Sequence, residues 1–188
     1  AAEKSTAMFI NSARGKNDGT IKAGKNSIGI YGYAVNNSGD ITVGDKGSAI
    51  YTQGGNVNIT SGTINVGKNE AVGIYSAGNS QVITNNATAM NIDEGSFGFA
   101  NVGTGNTINS NVASQTLGND GTYIYSSDTA GVVNNNTALT STGSYNYGLY
   151  SAGTVTNNAD INFGSGMGNV GIYSTYGGTA TNLSGRSV

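Results

Sequence analysis

Hydrophobic residues in this chain come in short alternating bursts separated by glycine, asparagine and serine, and the bursts align into one unit repeated along the whole length. The reference position is the third residue of a four-residue segment typified by Val72-Gly73-Ile74-Tyr75. On that reference the series runs Met8, Ile30, Ile50, Ile74, Phe99, Ile124, Leu149 and Ile172, at spacings of 22, 20, 24, 25, 25, 25 and 23 residues. A period of that size, sustained from end to end, predicts a solenoid of stacked repeats. Each unit holds three short segments that alternate with period two. The first, the anchor segment, is apolar at positions one and three in most copies. This predicts those side chains inward, with the Gly or Ala of position two and the Tyr of position four outward. The second segment is V-x-N or close to it, as in Val35-Asn36-Asn37, Ile83-Thr84-Asn85 and Val133-Asn134-Asn135. The third is G-x-I-x-V-G, clear at 39–44 and 62–67 and degraded around Met90, Leu139 and Ile161.

Three strands of this length leave only a few residues for each corner and no room for an ordinary helix. The expected fold is all-β: a right-handed parallel β-helix with three short strands per coil and about eight coils of 20–25 residues. Residues 1–188 are read as a single, monomeric β-helix segment. Eight coils rising about 4.8 Å each make a rod on the order of 40 Å long. Leucine-rich repeats share the period but require L-x-x-L-x-L, which four leucines cannot supply. A propeller blade needs a period of about 40 residues or more.

Composition fits a narrow core. The 36% hydrophobic content lines such a core without building a broad one, and the absence of proline suits a backbone whose amides are wanted for ladders. The 31 glycines, together with the asparagines, serve corners where φ turns positive. Asparagine at one phase in successive coils can also stack as an amide ladder, so Asn37, Asn85, Asn135, Asn157 and Asn182 read as structural. Asn86-Ala-Thr and Asn182-Leu-Ser fit the glycan acceptor pattern, a short motif that arises often by chance in such a chain.

Little catalytic chemistry is left. With no Cys and no His there are no disulfides, thiolate or imidazole metal sites, cysteine nucleophiles or histidine bases. A net charge of −2 and a pI near 4.8 argue against nucleic acid as partner. Asp93-Glu94 is the one adjacent acidic pair, and it shares a corner with Lys68 and Asp45, which reads as a solvated turn. No phosphate loop or calcium-roll nonapeptide occurs. The expectation is therefore no catalytic residue, no metal and no cofactor. No apolar run approaches the roughly 20 residues that cross a bilayer. Any targeting signal or membrane anchor is expected outside this sequence.

What remains is the column at anchor position four: Phe9, Tyr31, Tyr51, Tyr75, Ala100, Tyr125, Tyr150 and Tyr173. Tyr31, Tyr51, Tyr75, Tyr125, Tyr150 and Tyr173 are the candidate binding residues. Stacked rings would stabilise the rod by about 0.5–1.5 kcal/mol per pair beyond burial, which explains their recurrence without a ligand. The alternative is an aromatic strip on which a sugar ring or a partner's strand edge could lie.

The run from Asn37-Ser-Gly-Asp-Ile-Thr-Val-Gly44 through Ile50-Tyr51, and the V-G-I-Y that returns in later copies, resembles the repeats of the very large autotransporter adhesins of fusobacteria. The likeness spans nearly the whole chain and weakens in the fifth and sixth units, where Ala100 and Tyr123 break the pattern. The resemblance implies a type V secreted passenger fragment on the cell surface, a β-helical stalk held to the outer membrane by a C-terminal β-barrel outside this sequence. It implies adhesion or coaggregation, with a host-cell or bacterial surface protein or glycan as partner. The lack of cysteine fits export through a narrow pore. The other function class is a carbohydrate-active β-helix enzyme, which long loops carrying several acids would signal.

Overall fold

The computed structural model describes residues 2–12 and 15–188, in which every regular element is a β-strand. The strands stack as a parallel β-solenoid of about seven turns with three strands per coil. One face is an eight-stranded sheet of anchor strands: Thr6–Ile10, Ile28–Gly32, Ser48–Thr52, Val72–Ser76, Phe97–Asn101, Thr122–Ser126, Tyr147–Ser151 and Val170–Ser174. The second face is another eight-stranded sheet, carrying the V-x-N segments. The third face is divided into a four-stranded sheet that ends at Ala89–Ile92 and a three-stranded sheet that begins at Ser114–Leu117. Equivalent residues pair from coil to coil, as Ile50, Ile74 and Phe99 do along the anchor face.

The reference column is buried as expected from Ile30 to Leu149, whereas Met8 and Ile172 in the outermost anchor strands are only partly buried. Position two departs from the expectation. Gly29, Ala49, Gly73, Gly98, Tyr123 and Gly148 are buried, and Tyr123 is fully enclosed. Position one is instead half-buried or exposed in most coils, with Tyr147 open to solvent. The cause is a bend shared by every anchor strand. Pairing runs through positions one, three, four and five and passes over position two, so two adjacent side chains turn inward. Small residues dominate position two because the next coil comes close there: a Cβ on Gly73 would lie 2.6 Å from the carbonyl oxygen of Gly98.

Polar ladders run alongside the apolar core. Asn37, Asn135 and Asn157 are fully buried as the ladder reading requires, Asn85 is buried but lies between Ile59 and Ser110 and joins no amide ladder, and Asn182, in the last strand of its face, is exposed. The Asn17 amide donates to Asn37 Oδ1 at 2.7 Å, Asn135 to Asn157 at 2.8 Å and Asn157 to Asn182 at 2.7 Å. Asn86 belongs to a parallel outer column, accepting from Asn111, which in turn accepts from Asn136. One corner follows a left-handed backbone: Asn26, Lys46, Asn69, Asp120 and Tyr145 all have φ between 54° and 60°. The N–H of each donates to a carbonyl of the next coil, which holds ordinary residues in a conformation usually left to glycine.

Between the fourth and fifth coils several of these columns are interrupted, although the Asn86–Asn111 link runs through. On the anchor face Tyr75 meets Ala100. On the second face Asn85 meets Ser110, leaving Asn85 Nδ2 buried without a partner. On the third face no ladder joins Ala89–Ile92 to Ser114–Leu117. The outer row Thr42–Asn65–Asn91 ends here too, and a new one begins at Thr116–Thr140. One coil further on, the large buried rings Phe99 and Tyr123 meet edge to face, 5.6 Å apart.

Candidate functional site

The tyrosine column forms where the sequence places it. Position four follows an inward residue and precedes another, so alternation drives its side chain outward. In-register pairing then sets each ring above the one before. Phe9, Tyr31, Tyr51 and Tyr75 make one continuous stack, with centroids 5.4, 5.3 and 4.9 Å apart and planes within 16° of parallel. Tyr125, Tyr150 and Tyr173 make a second, at 5.0 and 4.9 Å. Ala100 separates the two.

Sequence reasoning missed the neighbours of this column. Because position one turns outward, Phe97 packs edge-on against Tyr125 at 6.3 Å, beside the place where Ala100 lacks a ring. Tyr147 likewise sets its edge on Tyr150 and Tyr173. Bulky aromatics at position one of these two coils were the available signal, and the assumption of strict alternation concealed it.

Geometry limits what the column can do. A sugar or another apolar partner would lie on ring faces, but within each stack the faces are taken by adjacent rings. Edges and hydroxyls are what face outward, and the Tyr31 hydroxyl is itself bonded to Gln53 Oε1 at 2.5 Å. No family model matches this chain, and no curated protein or solved structure is found to be similar to it.

The acidic groups behave as corner residues. Lys68 Nζ lies 3.7 Å from Asp93 and 3.5 Å from Glu94, all three well exposed, so the contact contributes little. Asp18, on the surface, has its carboxyl held below the usual range by the Ser38 hydroxyl and then by Lys16. Asp128 is buried, and its two oxygens accept from the backbone N–H of Ala130 and Asn106 at 2.9 and 2.8 Å, which makes it a corner cap. Among the described residues no three His, Cys, Asp or Glu side chains gather where they could hold a metal.

Proposed function

We propose that this chain is a stalk segment of a surface-exposed autotransporter adhesin passenger, a β-helical rod that carries or spaces the adhesive parts of a longer protein. The observation that supports it most is the use to which its polar and aromatic side chains are put. Tyrosine rings stack on tyrosine rings, asparagine amides bond asparagine amides, and the buried carboxylate caps backbone. Such side chains lengthen and stiffen a rod and leave little for turnover. The likeness of the repeats to fusobacterial adhesins supplies the setting: outer-membrane anchoring, an extracellular passenger, and a protein or glycan on another cell as partner. Within this reading the tyrosine column is a spine.

The test uses the intact surface protein with Tyr31, Tyr51 and Tyr75 changed together to Ser. Display and adhesion are expected to survive while the melting temperature falls, at about 1–2 kcal/mol per lost stack. An adhesion defect with unchanged display and stability would convert the spine into a binding strip. Turnover of a polysaccharide by the purified chain would overturn the stalk assignment altogether.

A further inference from the structure

The third face carries a cleft of about 380 Å³ between Ala89–Ile92 and Ser114–Leu117, at the joint where the ladder of that face is broken. The inward column of this face reads Ile21, Ile41, Ile64, Met90, Gln115, Leu139 and Ile161, apolar in every coil except one. Gln115 is only 5% exposed. Its Nε2 donates to the carbonyl of neighbouring Thr116 at 2.6 Å, while Oε1 is buried with no partner at all. A leucine there would fill the same column without leaving an acceptor unpaired, an omission that costs stability. A polar side chain kept where packing favours an apolar one marks a place where something other than folding is served.

The chemistry of the cleft defines what it accepts. None of its lining residues is charged, which disfavours phosphate, carboxylate or metal ligands. Its rim offers the hydroxyls of Thr88, Ser114 and Thr116 and the amide of Asn91, while Met90 and Ile92 belong to its apolar wall. Two strand edges without a ladder between them add backbone donors and acceptors. A ligand that suits this lining is uncharged, has an apolar face, and carries several hydroxyls, one of which would donate to Gln115 Oε1 after a rotation of that side chain brings the oxygen, closed to solvent in this structure, to the cleft. We infer that the joint cleft is a binding site for a neutral saccharide unit. The volume lies within the range of small-molecule sites and accommodates one or two sugar rings. This site is distinct from the tyrosine column and does not depend on the stalk reading, because it is assayed on the purified chain without cells.

The experiment titrates galactose, glucose and N-acetylglucosamine into the isotope-labelled 188-residue chain, with N-acetylneuraminic acid as the charged control, and follows backbone amide shifts. At least one neutral sugar is expected to move the amides of Ser114, Gln115 and Thr116 with millimolar affinity. The charged control should leave them in place. Gln115→Leu, and Gln115→Met as a second variant matching Met90 of the preceding coil, should weaken that binding about tenfold or more. Both should melt at or above the parent temperature, which separates loss of binding from loss of fold. The assignment is overturned if no neutral sugar moves these amides, if binding survives both variants unchanged, or if the charged sugar binds equally well. Perturbation of the same amides by an uncharged extended peptide, with sugars inert, would reassign the open edges to strand addition and equally overturn it.

Discussion

Tyr123 stands at a position that every other coil gives to glycine or alanine, and its surroundings accommodate it. Its phenol crosses the core to Ser110 Oγ at 2.6 Å and Thr137 Oγ1 at 3.2 Å. Ser110 replaces the larger asparagine found in the coils on either side, so a short residue on one face makes room for a long one on another. Burial pushes the Tyr123 hydroxyl above its ordinary range, outweighing the two hydrogen bonds. An acid whose folded pKa is raised contributes stability below its unfolded pKa, near 10, and loses it as pH rises beyond that value. The melting temperature should therefore fall more steeply above pH 10 in the parent chain than in Tyr123→Phe. At neutral pH that variant should lose only about 1 kcal/mol, because Ser110 and Thr137 still bond each other at 2.8 Å. Parallel alkaline melting curves would remove Tyr123 from this role. Gly98, one coil earlier, tests the inward bend. Its Cβ would come within 2.6 Å of the Tyr123 carbonyl and 2.9 Å of Ile92 Cδ1, so Gly98→Ala should destabilise by about 1–3 kcal/mol. Gly19, with nothing within 4 Å, should accept alanine without loss, and equal effects in a denaturant titration would contradict the bend.

The strands divide into those the sequence makes legible and those it does not, and the boundary is physical. Anchor residues such as Ile50 and Ile74, the asparagines of the inner ladder and the tyrosines of position four could be placed because each repeats in phase and each phase has one physical role. The bend at position two was hidden, since it sets two consecutive residues inward and period-two reasoning has no term for that. Its one trace was the small size of residues there, which alternation explained differently. The broken third face was also hidden. Ala100, Ser110 and Gln115 are separate small departures on three faces, and only stacking shows that they fall at one joint. Hydrogen exchange measures that joint directly. Elsewhere on this face an inward residue donates to the next coil, as Ile21 does to Asp40 at 2.8 Å and Leu139 to Asp160 at 2.9 Å. Met90 and Ile92 face a strand with which no ladder forms, so their amides should exchange faster than those of Ile21 and Leu139. Equal protection would show that the third face is continuous in solution.

Seen from end to end, the rod is continuous on two faces and divided on the third, into four strands before the middle joint and three after it. Across the middle joint two faces keep their backbone ladders, and single links persist, such as the Asn111 amide on Asn86 Oδ1 at 2.8 Å and the Asn106 side chain accepting from the Gln81 N–H at 2.7 Å. Stability in such an array is close to a sum of coil and interface contributions, so the interface with fewest links governs where cooperativity ends. Each half holds enough coils to bury a continuous core of its own. On the stalk reading proposed above, the rod would feel traction along its axis, and every joint would bear the same load in series. The rung between Ala89–Ile92 and Ser114–Leu117 has the least to hold it. Load on that reading falls hardest on this joint, where two faces of backbone ladder carry what three carry in the coils on either side.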